Sequence, residues 1–479
     1  MPENKSLLKG IFKFGSSSFS KLFLFLLLLL AARYLGAEEF GIFSFAMAFV
    51  YLFDPVFDPG LYHALIREIA RNKEQTQKYL SHALTWKLIV TPLFILMIYI
   101  SVNLIHKSQT TIYAVYLMAT SFLLKSLIDA FRSAMLAHEL FGLHAICVTI
   151  ERLLLFIVGS FILLRGGGLL TFCSAFIIVR LVTFLIVVAI TRYHVCSIRL
   201  GKDFGFLKKL IYTAVPIGAL YITLNVYNYI DTVMLSAFKT DVEVGWYNAS
   251  YKIYEGLLIF PVIIGTVLMP RLSQIYKSNK ESFDQIFLKG IKYVIIIGVV
   301  ITFNGILLSD KIISVCFGME YKNATISLNV LLMGIIFVFS INFLQTAMIT
   351  MDKQKIVLYL AICGLILNIL VNLYLIPKYS YVGAAFATVF VEGLVFICLL
   401  LYAQWIGIKI MWWRLIGKPI TASLLAILIF WIILPLKFIY VQLLFVNVCF
   451  ITLLFLMRVF DKEELALFSN LRFSLKLHG

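Results

Sequence analysis

Long apolar runs recur along almost the whole chain, and they constrain its fold more than any other feature. Fourteen such runs leave no stretch long enough for a soluble catalytic domain. A membrane-spanning helix needs about 20 mostly apolar residues, and lipid tolerates only helices or closed barrels. Runs such as 22–32 and 294–308 are apolar on every side, without the alternation of barrel strands. The sequence therefore predicts an all-α integral membrane protein.

The predicted spans follow one another at short intervals, which favours antiparallel neighbours in a helical bundle. Only 14% of the residues are charged, against about 25% in soluble proteins. We place the spans at 14–33, 42–59, 82–103, 112–135, 144–164, 171–191, 209–230, 246–269, 286–308, 326–349, 356–376, 382–404, 415–435 and 438–458.

The net charge of +17 would suit a nucleic-acid partner, but the position of the charges argues against one. If the N-terminus is cytoplasmic, the cytoplasmic segments hold 26 basic residues and the outer segments hold 8. This is the positive-inside bias of a multi-pass protein in the cytoplasmic (inner) membrane, with both termini cytoplasmic. The basic N-terminus before the first run resembles a signal peptide. Because thirteen similar runs follow, we expect an uncleaved first helix.

A short motif occurs twice and indicates two related halves. Residues 37–43 and 241–247 share an acidic, apolar, Gly and aromatic order at an offset of 204 residues, each before the next span. Parallel repeats of this kind are a known transporter plan, with the site at the repeat interface. The predicted organisation is an N-terminal lobe at 1–191, a cytoplasmic linker at 192–208, a C-terminal lobe at 209–404, and two further helices with a tail at 405–479.

An ordered set of motifs along nearly the whole chain resembles one transporter family. The set comprises 33–41, 58–61, 67–68, 229–235, 244–253, 269–272, 317–321, 352–355, 368–372 and 375–388. With fourteen spans, it resembles the Wzx-type polysaccharide and O-antigen flippases of the multidrug/oligosaccharidyl-lipid/polysaccharide exporter superfamily. Two residues depart from the family pattern: Pro59 replaces an apolar residue, and Ser380 stands where a Gly usually occurs.

The resemblance implies two six-helix lobes around a central cavity, plus two C-terminal helices. It implies transport of an undecaprenyl-diphosphate-linked oligosaccharide from the inner to the outer leaflet by alternating access, coupled to an ion gradient or the membrane potential. The expected partners are that lipid-linked sugar, membrane lipid, and the polysaccharide polymerase with its chain-length machinery. No cofactor is expected.

A diphosphate is negatively charged, so a protein that carries it across the hydrocarbon core must supply cations. Charged side chains within spans usually face a cavity or a partner. The candidate diphosphate ligands are Lys21, Arg152, Arg180 and Lys252. A guanidinium suits phosphate because it donates two parallel hydrogen bonds. Lys21 lies near the cytoplasmic edge, so snorkelling is the alternative. Lys252 is alternatively an ion-pair partner of Glu255, three residues away on one helix face.

Five carboxylates are candidates for ion coupling: Asp54, Asp58, Asp231, Glu255 and Glu392. Structural roles compete in every case. Asp54 and Asp58 share a helix face beside Pro55 and Pro59, where a hinge is the alternative. For Asp231 the alternative is a structural role as a helix cap or in a structural pair. For Glu392 the alternative is a role in the packing of neighbouring helices. A third set, Lys125, Asp129 and Arg132, is spaced to form an ion-pair stripe along one helix.

The sequence contains neither a metal-ligand spacing nor a nucleophile with an adjacent base. The seven scattered cysteines indicate neither disulfides nor a metal site. Two further functions compete with the flippase. A cation- or proton-coupled multidrug antiporter of the same superfamily should favour acids and aromatics in its cavity. A membrane enzyme should carry a long outer loop, whereas the longest predicted here spans 309–325, and we therefore expect no enzyme.

Overall fold

In a computed structural model, the chain is described at residues 2–433, 439–457 and 459–460. This part of the chain is helical and contains no strand, as the apolar runs predicted. Nine of its helices are long and apolar enough to cross a membrane. The protein is therefore an all-α integral membrane protein.

Fifteen α-helices form the described chain. They are α1 (Pro2–Leu52), α2 (Asp54–Phe57), α3 (Leu61–Arg71), α4 (Thr76–Leu104), α5 (Gln109–Ala137), α6 (Phe141–Leu164), α7 (Leu169–His194), α8 (Phe204–Phe238), α9 (Asp241–Leu257), α10 (Ile259–Ser278), α11 (Lys280–Cys316), α12 (Ala324–Thr350), α13 (Gln354–Trp405), α14 (Lys418–Ile433) and α15 (Ile439–Leu456). Short 3₁₀ turns lie at Lys73–Gln75 and Met319–Tyr321, and a π turn at Trp413–Gly417 precedes α14.

Two of these helices are pairs of predicted spans joined through a kink. Helix α1 bends at Gly36, whose φ of 77° lies in the left-handed region that glycine tolerates. Helix α13 bends at Ser380, whose φ of 53° lies in the same region. Ser380 is the residue that replaces a family Gly, and the positive φ gives the physical reason for a Gly there. Counting each half, the described helices account for the predicted spans over the described residues. Residues 434–435, 438 and 458 of the last two predicted spans lie outside the described part of the chain.

Two predicted spans are interrupted, and proline explains both breaks. The chain leaves helical geometry between α1 and α3, where Pro55 lies in the single turn α2, Pro59 follows that turn, and Gly60 has a φ of 97°. The span predicted as one helix at 246–269 is in fact two, α9 and α10. Pro261 in the first turn of α10 has no N–H to donate to the carbonyl of Leu257, so the first helix ends there.

Contacts divide the chain into two compact units that do not follow sequence order. The first comprises Met1–Gly256, Asp310–Leu328 and Leu358–Thr388. The second comprises Leu257–Ser309, Asn329–Val357 and Val389–Gly479. Within the first unit, α3, α4 and α5 pack around buried apolar side chains that include Leu65, Ile128 and Met135. All but one of the predicted site residues lie in this unit.

Candidate functional site

A buried ion pair anchors the interrupted segment after α1. Lys87 of α4 is completely buried, and its Nζ lies 2.8 Å from Asp58 Oδ2 and 2.6 Å from the hydroxyl of Ser126. The backbone N–H of Tyr62 donates to the other oxygen of Asp58 at 3.2 Å. Burying the charge of Lys87 would cost free energy unless the charge is paired and hydrogen-bonded. The ion pair therefore holds Asp58, which the sequence placed at a candidate hinge, in one position.

The predicted stripe on α5 is present and extends into a longer network. Lys125 Nζ lies 2.9 Å from Asp129 Oδ2, and Arg132 lies 3.8 Å from the other oxygen of Asp129. Arg132 also pairs with Glu151 of α6 at 2.7 Å. Arg180 of α7 lies 3.8 Å from Glu151 and donates to the hydroxyl of Ser121 at 2.7 Å. This network joins three helices by buried charges.

A cavity of about 350 Å³ opens beside these pairs. Helices α2, α3, α5 and α8 supply its walls. Its polar lining includes Asp54, Asp58, Lys125, Asp129, Asn225 and Asn228, and its aromatic lining comprises Tyr62, His63 and Tyr221. This volume is at the low end of the range of about 300–1,000 Å³ found for small-molecule sites.

Three of the four predicted diphosphate ligands gather around one carboxylate. Lys252 Nζ lies 2.7 Å from Glu255 Oε2, so the predicted pair on α9 forms. Lys21 of α1 and Arg152 of α6 also interact electrostatically with Glu255. The Glu255 side chain is 54% exposed and Lys21 is exposed. The four residues form a basic cluster with three cations and one accessible acid.

Aromatic residues connect the basic cluster with the cavity. Tyr229 of α8 lies within electrostatic range of Glu255, Asp54 and Lys125. Its ring stacks on Tyr51 with centroids 5.0 Å apart. Lys125 Nζ lies 5.4 Å from the centroid of Tyr51. Tyr229 is therefore close to one member of the basic cluster and to two residues that line the cavity.

Asp231 lies in a buried shell of hydrogen-bond donors. Thr388 and Tyr247 donate their hydroxyls to Oδ2 at 2.6 and 3.0 Å, and Asn372 donates its amide to Oδ1 at 2.7 Å. The same amide donates to Asn368 at 3.0 Å. Among the described residues, Oδ1 of Asn372 lacks a hydrogen-bond partner. Several oxygen atoms thus converge on a buried carboxylate.

The two repeated motifs contact each other through their glycines. A Cβ added to Gly41 would lie 1.8 Å from the carbonyl oxygen of Asp241, and one added to Gly245 would lie 2.0 Å from that of Ala37. The contact is reciprocal, since each glycine faces the first residue of the other motif. The backbone N–H of Ala37 donates to Glu320 at 2.8 Å. We call the crossing of α1 and α9 at Gly41 and Gly245 the glycine crossing.

Arg180 and Glu392 belong neither to the cavity lining nor to the basic cluster. Arg180 is 4% exposed, and its guanidinium is engaged by Glu151 and Ser121. Glu392, in the second unit, is 6% exposed and lies against Gly334. Their predicted roles stay predictions.

Sequence reasoning missed Lys87, Tyr62, His63 and Tyr221. For Lys87 a signal existed, because a lysine within an apolar span needs a partner. The three aromatic residues, Tyr62, His63 and Tyr221, stand in no motif that the sequence analysis identified.

Comparisons with known proteins agree with the helical architecture. A family model described as polysaccharide biosynthesis protein matches residues 7–276, and the MatE model matches residues 216–374. A putative O-antigen transporter of Shigella flexneri is 25% identical over 367 residues, covering 74% of this chain and 87% of that protein. The probable low-salt glycan biosynthesis flippase Agl15 of Haloferax volcanii is 24% identical over 363 residues, covering 74% and 75%.

Solved structures with low sequence identity share the fold. Lipid II flippase MurJ in an inward closed conformation superposes with a TM-score of 0.76 at 18% identity, covering 94% of this chain and 99% of that one. An inward-facing multidrug resistance MATE family transporter superposes with a TM-score of 0.66 at 14% identity, covering 81% and 94%.

Proposed function

The chain belongs to the polysaccharide biosynthesis protein family, and from that premise we propose that it moves an undecaprenyl-diphosphate-linked oligosaccharide from the inner to the outer leaflet of the cytoplasmic membrane. It is a multi-pass membrane transporter rather than an enzyme, as its relatives are named transporters and flippases. The transported lipid serves the synthesis of a surface polysaccharide. The polymerase and chain-length machinery are the proposed protein partners.

The observation that carries the proposal is the basic cluster. Lys21, Arg152 and Lys252 all interact with Glu255, and Arg152 also interacts with Glu151. Since Arg132 and Arg180 already engage Glu151, the cations around these two acids outnumber them. A diphosphate supplies the missing negative charge and accepts hydrogen bonds from all three cations. The exposure of Lys21 and Glu255 leaves the cluster accessible to a ligand. We keep Arg180 as a more remote candidate that would have to leave Glu151 first.

Alternating access is the proposed mechanism, and the glycine crossing is its proposed outer gate. Under the positive-inside orientation, Gly41 and Gly245 lie on the outer side. Their backbones touch without side chains between them, so the two helices close tightly there. Movement of the predicted lobes at 1–191 and 209–404 about this crossing would open the cavity outward. The predicted linker at 192–208 and the predicted C-terminal segment at 405–479 belong to neither of the two lobes that would move.

Asp231 is the first candidate for ion coupling. Its carboxylate is buried among neutral donors, and a cation or a proton there would neutralise the buried charge. The unpartnered Oδ1 of Asn372 is an oxygen of the kind that hard cations bind. Asp54, Asp58, Glu255 and Glu392 stay secondary candidates, of which Asp58 is already neutralised by Lys87.

The test is leaflet transfer of an undecaprenyl-diphosphate oligosaccharide in reconstituted liposomes. We expect Lys252→Ala and Lys21→Ala each to slow transfer at least tenfold, because each removes one cation from the diphosphate contact. Lys209→Ala is the matched control, since Lys209 is exposed at the start of α8 and away from the cluster. Full transfer by both cluster variants would refute the diphosphate site.

A multidrug antiporter is the second candidate, favoured by the MatE match over residues 216–374. It predicts efflux of an organic cation driven by a sodium or proton gradient. A folded protein that shows such efflux and transfers no lipid-linked sugar would establish the antiporter instead.

A further inference from the structure

Residues 317–321 are one of the motifs behind the family resemblance, yet they belong to neither the basic cluster nor the cavity lining. They end in the 3₁₀ turn Met319–Tyr321 between α11 and α12. We call residues 317–321 the outer turn, because the positive-inside orientation places them on the outer side. Connecting segments normally run over the protein surface, but Phe317 and Tyr321 are buried. The outer turn is therefore packed against other elements of the chain.

Glu320 of the outer turn caps the second half of α1. That helix is broken at Gly36, and in an unbroken helix the N–H of Ala37 would donate to the carbonyl of Arg33. Here the N–H of Ala37 donates to Glu320 Oε1 at 2.8 Å. A Cβ added to Gly36 would lie 3.2 Å from Glu320 Oε2, so the carboxylate sits directly against the kink. Free N–H groups and the helix dipole both favour a negative charge at this position.

The outer turn also contacts α1 on both sides of the kink. The hydroxyl of Tyr321 donates to the carbonyl of Ala32 at 2.8 Å, before the kink. The ring of Tyr321 meets that of Phe40 edge-on, with centroids 6.3 Å apart, after the kink. Arg33 donates to the carbonyl of Val315, just before the outer turn. These contacts fix both halves of α1 in one bent arrangement.

The chain around the outer turn is attached to α9 as well. The indole N–H of Trp246 donates to the carbonyl of Glu320 at 3.1 Å. The hydroxyl of Ser250 donates to the carbonyl of Ala324 at 2.7 Å and lies 2.8 Å from the hydroxyl of Ser327. Both serines are completely buried. The outer turn therefore touches both helices of the glycine crossing, and all of these residues lie in the first compact unit.

The two sets of contacts differ in what the proposed movement does to them. The outer turn and α9 both belong to the predicted lobe at 209–404, so their mutual hydrogen bonds survive when the lobes separate. Helix α1 belongs to the predicted lobe at 1–191. The hydrogen bonds from Glu320 and Tyr321 to α1 must break when the crossing opens. They consequently stabilise the closed crossing alone.

We propose that Glu320 is a positioning residue of the outer gate, which holds the kink of α1 against the outer turn and releases Ala37 when the gate opens. This inference rests on the proposed function, because it assigns a part of the gate that alternating access requires. It adds a hydrogen-bonded latch to the steric contact of Gly41 and Gly245. Glu320 acts through the backbone of α1 and touches no part of the transported lipid.

The experiment measures how often the crossing opens, with no substrate present. Val244→Cys, a completely buried position on α9, is labelled from the outer side with a membrane-impermeant maleimide in right-side-out vesicles. All native cysteines are replaced by serine. Glu320→Ala should raise the labelling rate about tenfold, since a hydrogen bond to a charged group is lost. The ion pair of Lys107 and Asp241 at 3.1 Å persists, so the gate opens more often rather than permanently.

Two further variants separate the hydrogen bond from the charge. Glu320→Gln should stay within about threefold of wild type, because its carboxamide oxygen still accepts the N–H of Ala37. Glu38→Ala is the matched control and should leave the rate unchanged. It removes the same charge from the residue after Ala37, where the side chain is exposed.

A second thiol distinguishes an open gate from a loosened fold. Cys147 is buried in the apolar core around α3, α4 and α5. As the single cysteine of an otherwise cysteine-free chain, it should react with a permeant maleimide equally fast with and without Glu320→Ala. A parallel rise at Cys147 and Val244→Cys would show general loosening and overturn the latch.

The remaining outcomes are equally decisive. An unchanged rate in Glu320→Ala, a rate in Glu320→Gln as high as in Glu320→Ala, or an equal rise in Glu38→Ala would overturn the latch. Leaflet transfer by wild type would leave the flippase proposal standing in each of these cases. The expected labelling pattern in a protein that transfers no lipid-linked sugar would support the latch and overturn the flippase proposal.

Discussion

The glycine crossing gives the sharpest test of how this transporter closes. We consider Gly41→Ala, which adds a single methyl group 1.8 Å from the carbonyl oxygen of Asp241. Carbon–oxygen contacts between close backbones normally lie at about 3.3–3.6 Å, so the helices must separate by about 1.5 Å. Backbone atoms cannot rotate away as a side chain can, and the strain therefore falls on the closed crossing.

The expected energy follows from the cost of overpacking. One extra methylene in a tightly packed contact costs about 1–3 kcal/mol. A cost of about 2 kcal/mol that acts only on the closed state raises the population of the open state about 30-fold. Gly245→Ala should have a similar effect, because its Cβ would lie 2.0 Å from the carbonyl oxygen of Ala37.

Labelling of Val244→Cys with a membrane-impermeant maleimide measures this change. Val244 is completely buried at the crossing, so the thiol reacts only when the crossing opens. In a background whose native cysteines are replaced by serine, Gly41→Ala should raise the labelling rate from the outer side at least tenfold. Gly142→Ala is the control, since a Cβ at that helical glycine meets nothing within 4 Å. An unchanged rate in well-expressed Gly41→Ala, or an equal rise in the control, would refute the reasoning.

Three further predictions concern stability and coupling. Lys87→Met leaves Asp58, whose side chain is only 13% exposed, without its counter-ion. It should destabilise the protein by about 3–5 kcal/mol in denaturant titrations, whereas adding Asp58→Asn should recover most of the loss. Ser380→Gly should be more stable to heat than Ser380→Ala by about 1 kcal/mol, since both lose the hydroxyl but only glycine relaxes the positive φ. Asp231→Asn should abolish the dependence of leaflet transfer on an imposed sodium or proton gradient, and transfer that responds as in wild type would exclude Asp231 from coupling.

The hydrogen bond from Ser380 to Glu243, at 2.5 Å, also predicts a pH dependence. Burial raises the pKa of Glu243, but hydrogen bonds from Ser380 and Thr240 outweigh it and hold that pKa below its usual value. The stabilisation is therefore present above the ordinary pKa of a glutamate and is lost as the pH falls through the lowered value. Thermal melting of wild type against Glu243→Gln should converge at acidic pH, and a constant difference between them would contradict this assignment.

The sequence by itself determined the architecture, because hydropathy is a one-dimensional property. Lipid forces every apolar run of about 20 residues into a helix whose backbone is satisfied internally. Over the described residues, most predicted spans consequently fall within helices of the structure. Two predicted spans, 42–59 and 246–269, are interrupted in the structure, and in each a local proline breaks the backbone hydrogen bonding of the helix. The repeat at 37–43 and 241–247 was also visible in the sequence, but the contact between the two motifs through Gly41 and Gly245 was not.

Only the tertiary structure decided which polar residues meet. Lys21, Arg152 and Lys252 are separated from one another by at least 100 positions in the sequence. The spacing of Lys252 and Glu255 on one helix indicated their pair, but no pattern predicts that Lys21 and Arg152 also interact with Glu255. Lys87 pairs with Asp58, and Arg180 pairs with Glu151, because the packing of the helices brings these side chains together. The glycine crossing depends likewise on the angle between α1 and α9. Such pairings are set by packing between helices far apart in the chain, which the order of residues along any one helix does not encode.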